Sequence, residues 1–217
     1  PDSLSALAFS NGTLRQHLFW YAIARFAVAA SIATGALFAS YVIGVQNLPL
    51  RHLLITALIL TLYNAALFAV LRPFHKHDPS RPEPKWLNAI AHASIILDFL
   101  FLTVCLWMVG GARSPFQAFY IFHVILAAIL LSPKAAIAHT LIVYLMLASL
   151  VISQWCGWLP GLYPPGAVAG QGPLDGRYVI TLLVVYGLLL ALSAAILTSL
   201  MQLLRAGERN LRHANLK

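Results

Sequence analysis

Few polar side chains interrupt the long apolar runs of this 217-residue chain. Inside such runs each one is costly enough to mark a site or a helix contact. Asp98 is the only acidic residue deep in any of them. It sits roughly 15 Å along its run at 1.5 Å per residue, so it is expected to be protonated or hydrogen-bonded, with Asn64 or a hydroxyl as partner. Glue between helices and a proton-linked switch both remain open for Asp98 and Asn64.

Three histidines fall within apolar runs: His92, His123 and His139. His92 and His139 follow the same tripeptide, Ala89-Ile90-Ala91 and Ala136-Ile137-Ala138, and the first run carries Ala22-Ile23-Ala24 before Arg25. Two imidazoles at equal depth are one way to hold the iron of haem b, with Arg25 pairing a propionate; polar contacts between helices are the other. His123 follows Phe116, Phe119, Tyr120 and Phe122. An imidazole donor in an aromatic pocket suits a quinone carbonyl, and an interhelix hydrogen bond suits it equally. Cys105 and Cys156 are too few for a disulfide framework or a four-cysteine metal site; they read as unpaired small apolar residues, with a redox pair as the alternative.

Gly110-Gly111-Ala112-Arg113-Ser114-Pro115-Phe116 is the most informative segment. Glycines end a helix by permitting positive φ and close backbone approach, and a proline opens the next. Arg113 is then held at an interface beside Trp107.

The elements that position these residues follow from composition. Sixty per cent of residues are apolar and nine per cent charged, too few polar side chains to cover a water-soluble domain. A spanning helix needs about 20 apolar residues, and the pattern predicts six: Leu18–Val45, Leu53–Leu71, Leu87–Val109, Phe116–Leu131, Ala135–Trp155 and Tyr178–Leu204. The expected fold is an all-α membrane protein with a polar segment over residues 1–17, a six-helix domain over 18–204, and a coil beginning at 205–217. The first run is too long for a signal peptide.

If the N-terminus is inside, Arg15, Arg72, Lys76, Arg81, Lys85, Lys134, Arg205, Arg209, Arg212 and Lys217 face the cytoplasm, against Arg51, Arg113 and Arg177 outside. That imbalance predicts both ends in the cytoplasm. It also accounts for the net charge of +8, with basic residues scattered over loops rather than gathered into a nucleic-acid surface. The long loop from Cys156 to Arg177, with Trp155, Trp158 and Tyr163 near it, becomes the main outer feature. Past the last span, Leu197, Leu200, Leu204, Gly207, Leu211 and Ala214 recur at steps of three and four, an a/d seam suited to a parallel homodimer. An amphipathic helix on the inner leaflet is the alternative.

The Gly-Gly turn, the Ile95-Ile96-Leu97-Asp98-Phe99 segment, the apolar run Ile125 to Ser132 and the charged exit 205–217 together resemble the membrane-input regions of bacterial sensor histidine kinases. The turn is most similar to the redox-responsive RegB/PrrB group, whose GGxxNPF turn is implicated in ubiquinone binding. Gly110, Gly111, Pro115 and Phe116 take the turn's positions, and Ser114 stands where that group has asparagine. The resemblance implies a multi-pass domain of the bacterial inner membrane, homodimeric, and sensing redox state or quinone. It further implies signalling to a kinase core and a response regulator that lie outside this sequence. The chain, opening at Pro1 and stopping at Lys217 in mid-pattern, is expected to be part of a longer protein. No catalytic domain is recognisable within it. The alternative expectation is a haem-bearing sensor or electron-transfer protein using His92 and His139; a transporter is disfavoured by the lack of an inverted repeat.

Overall fold

A computed structural model describes residues 14–45, 48–72, 85–160 and 173–215, with the side chains of 14–17, 85, 205 and 208–215 left out. The N-terminal segment before residue 14, the loop 73–84, most of the long loop (161–172, with Tyr163), and the seam side chains of Leu211 and Ala214 lie outside that description. The described residues form helices α1 (Leu14–Tyr41), α2 (Leu50–Leu71), α3 (Lys85–Met108), α4 (Phe119–Leu130), α5 (Pro133–Trp155) and α6 (Gly176–Asn215), with no strand among them.

Five of these helices are long and apolar enough to cross a bilayer, and the segment Pro115–Leu130 is a shorter apolar helix. Their outward faces carry Leu58, Leu62, Leu141, Leu145, Ile180, Leu188, Leu192 and Leu203, each more than half exposed. So continuous an apolar surface matches lipid rather than water as the solvent.

On α1 the buried side chains Leu18, Ala22, Arg25, Ala29 and Ala36 fall on one seam. On α2, Leu53, Ala57, Leu60, Asn64, Leu67 and Leu71 recur at alternating steps of four and three. The two seams face each other as an antiparallel coil in the most extensive helix pairing of the fold. Alanine at three α1 positions permits that approach, because in lipid the association rests on backbone proximity and packing rather than on hydrophobic expulsion. Asn64 is set in the seam and donates from Nδ2 to the Ala22 carbonyl at 2.6 Å.

Helices α4, α5 and α6 pack mutually, and α3 touches α1, α2, α4 and α5, joining the hairpin to the triad. Phe99, Tyr120, Val124, Val143 and Leu147 are fully buried where these helices meet. Helices α1, α3 and α5 begin at one end of the bundle, and the Gly110–Pro115 turn lies at the other.

Helix bounds depart from the apolar runs where backbone chemistry overrides hydropathy. Helix α1 stops at Tyr41, four residues before its apolar run does, and Gly44 follows at φ 74°. A 3-10 turn, Pro115–Ala118, precedes α4, its N-cap Ser114 accepting from Phe116 N at 3.4 Å. Helix α5 starts at Pro133 under a Ser132 cap. Helix α6 continues without a break through the end of its apolar run to Asn215.

Candidate functional site

The turn between α3 and α4 is built from backbone bends and three side chains that reach it from outside. Gly110 takes φ 115° and Gly111 φ 56°, both left-handed. A β-carbon on Gly111 would fall 2.1 Å from the amide nitrogen of Gln154, so glycine lets α5 press its glutamine flat against the turn. Gln154 Oε1 accepts from Ala112 N at 2.7 Å. Gln117 is buried and donates to the Gly111 carbonyl at 3.0 Å. From the first turn of α6, the Tyr178 hydroxyl donates to the Ala112 carbonyl at 2.8 Å.

Both backbone groups of Ala112 are thus satisfied by neighbouring helices, as burial at 1% exposure requires. Gln154 Nε2, by contrast, is buried without a hydrogen-bond partner among the described residues. A buried amide donor left open costs about 1–3 kcal/mol and is the polar group at this turn with capacity to spare.

The remaining residues singled out in the sequence divide by depth. Ser114 is buried, whereas Pro115 and Phe116 are exposed. Arg113 is half-buried, its Nη2 at 3.5 Å from the Pro173 carbonyl. Trp107 Nε1 donates to the Pro160 carbonyl at 3.0 Å, closing the segment after α5 over the end of α3. Phe116 stacks on Phe119 at 5.8 Å and Phe119 meets Phe122 at 5.9 Å, an exposed aromatic ladder along the outside of α4. Tyr120 points the other way, fully buried, with its hydroxyl 2.5 Å from that of Thr103. His123 lies deeper, Nδ1 on the Phe119 carbonyl at 3.0 Å and its ring 5.6 Å from that of Phe99. The structure therefore gathers the glycines, Arg113, Ser114 and Phe116 at one end and leaves Tyr120 and His123 beneath them.

At mid-bundle Asp98 does find a hydroxyl, that of Tyr21, which donates to Oδ2. Its charged partner is Arg25, whose Nε and Nη2 reach the same oxygen at 2.9 and 2.8 Å. Both side chains are under one-tenth exposed. The guanidinium lies over the Tyr21 ring at 4.1 Å and near that of Tyr63 at 5.4 Å, with Nη1 3.4 Å from the Tyr63 hydroxyl. One acid thus ties α3 to α1, and the arginine extends the tie to α2. Asn64, the other expected partner, donates from Nδ2 into the α1–α2 seam instead, with its Oδ1 buried and without a partner among the described residues.

Nearer the end where α3 and α5 begin, the rings of His92 and His139 lie side by side, centroids 5.0 Å apart and planes at 37°. With metal–nitrogen bonds of about 2.0 Å, two histidines on opposite faces of a haem hold their centroids roughly 6.4 Å apart with the macrocycle between them. The observed pair leaves no such gap, and Arg25 is committed to Asp98. These residues do not fit a haem sandwiched between them. Cys105 is half-buried in α3 and Cys156 exposed, both free.

No family model, curated protein or solved structure matches this chain. The site must therefore be read from its own chemistry.

Sequence reading missed Gln117, Gln154, Tyr21, Tyr63 and Tyr178. A glutamine one residue before a helix-ending tryptophan and a tyrosine two residues into a helix carry no spacing signal. Their roles arise only when α5 and α6 close over the turn.

Proposed function

We propose that this chain is the membrane signal-input domain of a sensor protein, in which the state of the Gly110–Phe116 turn is passed to the output through α6. The observation that carries the reading is the hydrogen bond from Tyr178 to Ala112. It joins the turn directly to a helix of 40 residues, about 60 Å long and roughly twice the hydrocarbon thickness. A ligand that shifts the turn thus has a rigid element to act on, and such an element conveys a change between two packings.

The ligand class supported best is a quinone. It carries carbonyl acceptors, and Gln154 Nε2 offers a buried donor without a partner among the described residues. Its ring and isoprenoid tail suit the exposed ladder of Phe116, Phe119 and Phe122. Gly110, Gly111, Arg113, Ser114, Pro115 and Phe116 stay the proposed ligand-binding set, with Tyr120 and His123 in the layer beneath it.

Topology belongs to the same reading. Pro115–Leu130, with four 3-10 and twelve α-helical residues, reaches about 26 Å, short of the roughly 30 Å core by an amount that local thinning absorbs. Six spans follow, with both ends in the cytoplasm of a bacterium on the basic-residue count. Leu200 and Leu204 are about half exposed on the described part of α6, and a second copy covering this seam would give a parallel dimer. A kinase core after α6, and a response regulator as its partner, complete the proposal.

The test is quinone content after purification from quinone-containing membranes. Wild type should retain quinone, whereas the Gly111→Leu, Arg113→Ala double variant and Gln154→Leu should lose it. Equal content in all three proteins would count against the turn as the site.

A further inference from the structure

The feature that the turn leaves unexplained is the His92–His139 pair, and it is not merely a haem site that failed. His139 is 3% exposed. Its Nδ1 lies 2.9 Å from the Ala135 carbonyl, and because a carbonyl only accepts, Nδ1 carries the proton. Nε2 is then a bare lone pair, buried with no hydrogen-bond partner among the described residues. A neutral imidazole whose other nitrogen is fixed by a backbone carbonyl is the arrangement that metal-ligating histidines adopt, since that second hydrogen bond sets the tautomer and raises ligand basicity.

The second ring supplies the other ligand. Helices α3 and α5 run in the same direction, so His92, seven residues after Lys85, and His139, six after Pro133, stand at matching depth, about 10 Å from their helix starts. With metal–nitrogen bonds of about 2.0 Å, two imidazoles on one tetrahedral ion hold their centroids roughly 5.2 Å apart. The observed 5.0 Å meets that value. The separation that rejects a haem falls within the span that two imidazoles on one small ion allow, from roughly 4.5 Å at a right-angled pair of ligands to roughly 5.2 Å at a tetrahedral one.

We infer that His92 and His139 form a binding site for one transition-metal ion of the zinc, cobalt, nickel or copper(II) class. Imidazole nitrogen selects these metals, and magnesium and calcium, which take oxygen ligands, are excluded. No cluster of three or more His, Cys, Asp or Glu residues occurs among the described residues, so the remaining positions go to water. His92 is only half-buried and gives that water its access. Phe99, whose ring lies 6.1 Å from that of His139, closes the site on the side toward His123. A bound ion would staple α3 to α5.

The site is tested on the chain in lipid nanodiscs by titration with Co2+ followed in the visible spectrum, with Zn2+ as competitor. Wild type should bind one Co2+ per chain with a tetrahedral spectrum, displaced by Zn2+. Each of His92→Ala and His139→Ala should weaken binding at least about tenfold, the loss that even a residue supporting a ligand can show, and His52→Ala should change nothing. Cu2+ bound to wild type should show electron paramagnetic coupling to two imidazole nitrogens, a readout that needs no variant to fold. No binding, a single coupled nitrogen, or affinity unchanged in both alanine variants, as adventitious binding to loop histidines would give, overturns the site.

Discussion

The Tyr178 hydroxyl donates to the Ala112 carbonyl across 66 residues of sequence, making the first turn of α6 a structural part of the α3–α4 turn. Tyr178 is half-exposed but the Ala112 carbonyl is buried, so losing the bond leaves that acceptor unpaired and should cost about 1–3 kcal/mol while the bundle stays folded. Tyr178→Phe is therefore expected to keep quinone at the wild-type level while uncoupling it from α6. Disulfide formation by Leu204→Cys, with Cys105 and Cys156 replaced by alanine, reads the packing of α6 in membrane vesicles. With Tyr178 present, the rate should change when the quinone pool goes from oxidised to reduced. With phenylalanine it should not.

At Gly111 the backbone and the packing both demand glycine. Alanine would sit at φ 56° and drive its β-carbon into the Gln154 amide. The left-handed conformation alone costs roughly 1–2 kcal/mol, so Gly111→Ala should lower stability by at least about 2 kcal/mol in thermal unfolding. In a Gln154→Ala background the collision disappears and only the backbone cost should persist, about half the effect, since contacting residues are not additive. Gly35, whose added β-carbon meets nothing within 4 Å, should tolerate alanine with no loss.

The helices and the turn were legible because their signals are local: apolar run length, paired glycines, and proline after serine. Asp98 was legible as an anomaly, since a lone carboxyl in an apolar run needs a partner. A hydroxyl partner was expected and is found in Tyr21, but the charged partner was not foreseen. Arg25 sits beside a tripeptide shared with His92 and His139, and that sequence repeat aligns depth along the helices while saying nothing of which faces meet. The α1–α2 seam passed unnoticed for a related reason: alanine, leucine and one asparagine look alike in a run that is apolar all round, and only the partner helix distinguishes Ala29 from Ala30.

That seam makes a sharp contrast testable. Ala29 is 3% exposed between α1 and α2, while Ala30 faces outward. Ala29→Leu should wedge the helices apart and cost about 1–3 kcal/mol by overpacking. Ala30→Leu should stay within about 0.5 kcal/mol of wild type, as substitutions away from packed contacts do. Reversible unfolding in mixed micelles measures both, and equal losses would mean that the alanines do not set the approach.

The ion pair at mid-bundle allows stability and specificity to be separated. Arg25 and Asp98 are buried together and share Tyr21 as a neighbour. Removing one partner leaves a charge in a low-dielectric interior, so Asp98→Leu or Arg25→Leu alone should destabilise by about 3–5 kcal/mol. Replacing both with leucine restores neutrality and fills the space, and such apolar replacements of buried pairs are commonly neutral or stabilising. The double variant should therefore recover most of the loss, giving a large coupling energy in a double-mutant cycle. Whether it still signals is a separate measurement. If Arg25 and Asp98 serve only to hold α1 on α3, the double variant should respond to the quinone pool like wild type in the Leu204→Cys cross-linking assay. If the pair is the element with two arrangements, the double variant should be stable and locked, cross-linking at one rate whatever the state of the pool.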